Sequence, residues 1–178
     1  MLKINLTKTK INWSILIPEG GVTVIKGLYE VHLPVSNLQQ SIEFYKNLGL
    51  QTAYEYEDVA FLWIVPNKTW LGLWKSEISK DREPASFPGN GRHLAFEVDF
   101  DDIKKASDWL TEKGISLRSH GGLKPTEPIT RPHQQNISIY FDDPDGNALE
   151  LMCNLPEGSP TEPSRMMYLS EFEKLVQK

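Results

Sequence analysis

The chain has 178 residues, enough for one domain of ordinary size and too few for two, so any site must be built within one core or between copies of the chain. With 39% hydrophobic and 24% charged residues it reads as globular, and a formal net charge of -5 supplies no electrostatic footprint for nucleic acid or an anionic membrane surface. The single cysteine, Cys153, excludes an internal disulfide and cannot by itself form a thiolate metal site. No apolar run approaches the ~20 residues that span a bilayer, and no small-residue cleavage pattern follows "INWSILIP". The expectation is a cytoplasmic protein whose partner is a small molecule, not nucleic acid and not a membrane.

In chain order, residues 1–26 form an atypical extension. Its "EGGV" at 19–22 is what a ribosome-binding sequence of the AAGGAGGTG type encodes when translated, so a natural start near Val24 is expected, with an edge strand or hairpin from "KINWSILIP" as the alternative. A first module over 27–76 runs from the strand "GLYEVHLPV" through a helix to "QTAYEYE", "VAFLWIVP" and "TWLGLWKS", strand segments by β-branched and aromatic content. In the helix, Ser36 and Gln39 match a capping box, Leu38, Ile42 and Tyr45 recur at helical spacing, and Gly49 stands at the C-terminal cap.

A second module over 92–153 repeats the order. The strand "RHLAFEVDF" leads into a helix opened by Asp101, with Ile103, Ala106 and Leu110 on one face and Gly114 closing it, followed by "ISLRS", "NISIYFD" and "NALELMCN". The repeat predicts an α+β domain of two βαβββ modules whose strands form a curved mixed sheet around a cup. Residues 154–178 then read as a turn-rich linker, "PEGSPTEPS", and a short amphipathic helix carrying Phe172, Leu175 and Val176.

Strand parity separates two faces. Val31, Leu33 and Val35, and later Leu94, Phe96 and Val98, alternate onto an apolar face under the helices, which turns His32 and His93 to the other. In the last strand Leu149, Leu151 and Cys153 share the apolar face, so Glu150 points the opposite way. His32, His93 and Glu150 are thus a two-histidine, one-carboxylate set on one concave surface, suited to a divalent transition metal such as Fe2+, Mn2+, Zn2+ or Ni2+ with open coordination positions. Cys153, on the apolar side, is expected to be inert.

The segments "HLPVSNLQQSIEFYKNLGL", "HLAFEV" and "IYFDDPDGNALEL" resemble the vicinal oxygen chelate superfamily, the glyoxalase, bleomycin-resistance, fosfomycin-resistance and extradiol dioxygenase group, over roughly residues 27–153. The resemblance implies metal ligands on the first, fifth and eighth strands, matched by His32, His93 and Glu150. Its optional fourth place falls on Gly72, which argues against a straightforward glyoxalase I and leaves room there for substrate. The resemblance also implies a metal-facing tyrosine at Tyr140, with Glu150 as a catalytic partner, and a homodimer that shares its sites. The Pro- and Gly-rich stretch 118–135 reads as a lid or binding loop, in which Arg131 is an anion clamp and His133 an acid or base. Trp63, Trp70 and Trp74 are candidates for an aromatic pocket, with core or dimer interface as the alternative. An extradiol dioxygenase should have a histidine within "SKDREPASFPGNG", and a fosfomycin enzyme a serine and glutamate loop where "HQQNISIYF" stands; neither is present. The leading expectation is a metal-dependent enzyme of dioxygenase or glyoxalase-type lyase and isomerase chemistry. A metal-free sequestration protein of the bleomycin-resistance type and a fosfomycin-type thiol transferase are the alternatives.

Overall fold

The structure, a computed structural model, describes residues 27–77 and 92–177. The expectations for the extension 1–26 and for the segment 79–91 lie outside the described residues. The first module comprises β1 (Glu30–Val35), α1 (Leu38–Asn47), β2 (Gln51–Glu55), β3 (Val59–Val65) and β4 (Thr69–Lys75). Its sheet has the order β1-β4-β3-β2, with β1 parallel to β4 and the other pairs antiparallel. The second comprises β5 (His93–Glu97), α2 (Phe100–Ile103), α3 (Ala106–Glu112), β6 (Ile129–Arg131), β7 (Asn136–Asp142) and β8 (Ala148–Asn154), then β9 (Met167–Tyr168) and α4 (Leu169–Val176). Its order, β5-β8-β7-β6-β9, repeats the parallel pairing of first and last module strands. The repeat therefore governs the architecture, as two sheets of four and five strands.

Local chemistry departs from expectation at several points. The cap of α1 is Asn37, whose side chain accepts from the Gln40 N–H at 3.1 Å, one residue beyond Ser36. Gln39 turns outward to Glu55 at 2.7 Å instead of closing a capping box. The second helix breaks into α2 and α3 around Lys104 and Lys105. "ISLRS" contributes only a bridge, Leu117 to Phe141, and the place beside β7 is taken by β6, drawn from the stretch that reads as a loop. Three residues are too short for periodicity to reveal, yet Ile129 and Thr130 are fully enclosed because β9 covers their other edge. The C-terminal segment thus packs back on its own domain, with Leu169 and Phe172 buried and Leu175 and Val176 exposed. Glu127 accepts from both the N–H and the hydroxyl of Ser170 at 2.9 Å, fixing the first turn of α4.

One core runs through both modules: Leu33, Val35, Ile42, Leu62, Leu71 and Leu73 from the first continue into Ile103, Leu110, Phe141 and Leu149 of the second. Each such side chain contributes about 1.5–3 kcal/mol when removed from water. The "DPDGN" turn fastens this core to α1. The buried Asp143 accepts from the Asn147 N–H (2.8 Å), the Asn147 amide (2.7 Å), the Asp145 N–H (3.0 Å) and the Tyr45 hydroxyl (2.9 Å). Asp145 accepts from Ser36 N–H at 3.0 Å and Ser41 Oγ at 3.4 Å, and Asn47 reaches the Lys113 carbonyl at 3.2 Å. Burial, then Asp143, pushes the Tyr45 phenol well above its ordinary range, so it stays a donor.

Replacing Tyr45 by Phe removes one donor to a buried carboxylate and is expected to lower unfolding stability by about 2 kcal/mol in a urea titration, with an unchanged slope.

Candidate metal centre

The registers put the site residues on their strands. His93 opens β5, and opposite it on β8 stands Ala148; Glu150 is opposite Ala95, so His93 and Glu150 are diagonal neighbours on one face. Their side chains close the diagonal, with His93 Nε2 at 2.9 Å from Glu150 Oε2. In the first module the residue opposite Gly72 is His32. If Gly72 is laid on Glu150, then His32 falls on Ala95 and Glu30 on His93. Parity is preserved, but the two histidines are not repeat equivalents and differ by one pleat.

Glu150 is 2% exposed, and its Oε1 is buried without a hydrogen-bond partner. Tyr140 is directly opposite it on β7, and Arg131 on β6 crosses above. The Arg131 guanidinium donates to the Tyr140 hydroxyl at 2.5 Å and to Ser138 Oγ at 3.2 Å, and lies 5.6 Å from the Tyr140 ring centre. It is 8% exposed, and among the described residues it forms no ion pair. Its hydrogen bonds among the described residues run to neutral hydroxyls, with the Glu150 carboxylate beyond Tyr140, so its donors suit an anion in the adjoining space. Burial, reinforced by Glu150 and opposed by Arg131, raises the Tyr140 phenol above its ordinary value, so it remains protonated at neutral pH.

A cavity of about 210 Å³ is lined by His93, Arg118, His120, Arg131, Gln134, Tyr140, Ala148 and Met152. His120 lies flat on Tyr140, ring centres 4.0 Å apart and planes at 9°. Neither His120 nor Arg118 is a sequence candidate: both precede β6 in an irregular stretch with no periodicity to mark a face. His133 is exposed in a 3-10 turn, Pro132–Gln134, and is absent from the cavity lining. Arg131, by contrast, is strand-borne and buried, not a mobile loop residue.

His32 sits on the other sheet. Its Nδ1 accepts from Trp74 Nε1 at 2.5 Å, and its Nε2 is 3.3 Å from Glu30 Oε2. Ligation through Nε2 therefore requires the ring to release Trp74 and carry its proton on Nδ1. The ring covers Gly72, where a Cβ would come within 3.2 Å of Nδ1, so the space expected for substrate at Gly72 is filled by imidazole. Around it spreads an aromatic face in which Trp63 and Trp70 stack at 5.0 Å and Phe61 lies 5.3 Å from Trp70. Trp74 is 45% exposed and Tyr54 50%.

His32 and the His93–Glu150 pair lie on different sheets, and α1 of the first module bonds to the turn and α3 end of the second. Among the described residues of one chain no three potential ligands converge on a point. The donors that do converge fit a cation: Glu150 has an unused buried oxygen and stands against an imidazole.

The family model described as "Glyoxalase/Bleomycin resistance protein/Dioxygenase superfamily" matches residues 27–151. The metallothiol transferase FosB of Staphylococcus haemolyticus is 31% identical over 129 residues, covering 72% of this chain and 84% of that one. Among solved structures, a glyoxalase/dioxygenase from Nostoc punctiforme superposes with a TM-score of 0.55 at 28% identity, covering 79% of this chain and 97% of its own. The fosfomycin resistance protein FosX from Listeria monocytogenes, solved with Mn(II) and sulfate, gives a TM-score of 0.55 over 75% of this chain and 94% of its own; at 19% identity it shows the shared fold.

If Arg131 is the anion contact, millimolar phosphate raises the melting temperature of the wild-type protein, and Arg131→Gln abolishes the rise. The shift is read by scanning calorimetry, where occupancy at about 100 times Kd corresponds to roughly 2.7 kcal/mol.

Proposed function

The chain belongs to the glyoxalase/bleomycin resistance protein/dioxygenase superfamily, and on that premise we propose that it is a metal-dependent enzyme that adds a thiol to a small anionic substrate of the fosfomycin type, an epoxide bearing a phosphonate. The observation that carries this reading is the buried Arg131 guanidinium beside the His93–Glu150 pair, hydrogen-bonded among the described residues to the hydroxyls of Tyr140 and Ser138. A guanidinium in that setting suits a phosphonate or carboxylate, and is poorly matched to the neutral diol of a catechol. The thiol-transferase alternative therefore stands ahead of dioxygenase and glyoxalase-type chemistry, and the names of the relatives support the same choice.

His93 and Glu150 from one chain, with His32 from a second, would hold the cation. Bound there, a divalent ion supplies Lewis-acid activation of the substrate oxygens. The protein's own residues do the rest. Arg131 holds the anionic head group, Tyr140 donates its phenolic proton in a hydrogen bond to a substrate oxygen, and Phe61 and Trp74 close the far wall when the His32 face of a partner lies over the cup. The exposure of Tyr29, Tyr54 and Trp74 on that face supports a homodimer, since an aromatic surface of this extent is costly to leave in water.

Purified protein is expected to bind divalent metal and to consume thiol in the presence of fosfomycin. His32→Ala and Glu150→Gln should each lower metal affinity by about 100-fold or more and abolish turnover. Metal-free wild-type protein that binds ligand equally well with and without these substitutions would contradict the reading.

A further inference from the structure

His120 lines the cavity and has no role yet in this function. We propose that His120 is the general base that takes the proton from the attacking thiol. The assignment rests on the thiol-transfer reading above and adds a named residue to it.

Three observations carry it. First, the imidazole lines the same 210 Å³ cavity as His93, Arg131 and Tyr140, so it faces the space where the anionic substrate would sit. Second, its ring has no hydrogen-bond partner among the described residues, while its plane is fixed by the face-to-face stack on Tyr140 at 4.0 Å. A ring held by stacking alone keeps both nitrogens available to a ligand. Third, the backbone around it is built to hold it. The His120 and Leu123 main chains exchange hydrogen bonds at 3.3 and 3.0 Å, closing a turn over Gly121 and Gly122. Gly121 has φ +57°, and a Cβ there would fall 2.2 Å from Met166 Cε, so the turn is pressed against the C-terminal segment. The Lys124 N–H then donates to the Tyr168 hydroxyl at 3.0 Å. Such anchoring of an otherwise irregular stretch places one side chain, His120, against the reactive face.

The charge environment agrees. Burial is the largest influence and lowers the His120 pKa from its ordinary value; Arg131, Arg118 and His93 act in the same direction, and Glu150 opposes them. The Tyr140 phenol, against which the ring lies, is neutral. At neutral pH the imidazole is therefore a free base.

The step balances without an oxidant or reductant. The thiol S–H proton passes to an imidazole nitrogen of His120 as sulfur forms a bond to an epoxide carbon. The carbon–oxygen bond breaks on the side opposite the sulfur with its electron pair going to oxygen, that oxygen takes a proton from solvent, and the His120 imidazolium returns its proton to solvent. The product is a thioether alcohol.

The test compares His120→Gln with wild type, both loaded with Mn2+, using fosfomycin and two thiols, one alkyl and one aryl thiol already ionised at pH 7. With the alkyl thiol, kcat is expected to fall by about 100-fold with little change in KM, and the acidic limb of the pH–rate profile to disappear. With the ionised aryl thiol the deficit should shrink to within about tenfold, because no proton remains to be taken. Mn2+ affinity should be unchanged. An alkyl-thiol rate equal to wild type, or an equal deficit with both thiols, overturns the assignment of His120 and leaves the thiol-transfer reading standing. Wild-type protein that adds neither thiol to fosfomycin overturns both.

Discussion

Asp143 is where the two modules are tied together. Buried in the "DPDGN" turn, it gathers four donors, one of them the Tyr45 hydroxyl of the other module. A carboxylate so enclosed is tolerable only when each of its lone pairs is used, so the turn and α1 cannot separate without exposing an unpaired charge to the core. Burial does raise its pKa, and the amide and phenol donors oppose that rise. With the Ser36 and Ser41 contacts to Asp145, the Tyr45 bond to Asp143 joins α1 of the first module to the turn of the second. His93 and Glu150 lie together on the second sheet, and His32 lies on the first.

The two halves differ in chemistry. The His93 face is enclosed and ionic: a buried carboxylate, an imidazole at 2.9 Å, a phenol and a guanidinium. The His32 face is open and aromatic, with its histidine tethered to Trp74 and pressed over Gly72. One supplies charge and the other supplies shape. In the proposed dimer, an apolar wall over an ionic cup would exclude water and lower the local dielectric, strengthening a guanidinium's hold on an anion.

Much of this is legible in the sequence because it depends on period and repetition. Alternation at Val31, Leu33 and Val35 fixed the side on which His32 emerges, and the second copy of the pattern did the same for His93 and Glu150. What sequence could not supply was register: the offset of one pleat between His32 and His93 leaves parity intact, so no pattern of apolar residues reports it. Nor could it separate loop from strand at Ile129–Arg131, where burial comes from β9 nearly forty residues later. His120 escaped because its position depends on Gly121 packing against Met166, a contact that no local pattern encodes. His133, chosen for its residue type and neighbourhood, turned out to face solvent.

The central claim is that a complete site needs His32 of one chain and Glu150 of another, and co-expression of two inactive variants tests it directly. In a heterodimer of His32→Ala and Glu150→Gln chains, one site carries both defects and the other carries neither, so the purified heterodimer is predicted to regain about half of wild-type turnover and metal content. A heterodimer as inactive as either parent would contradict the account.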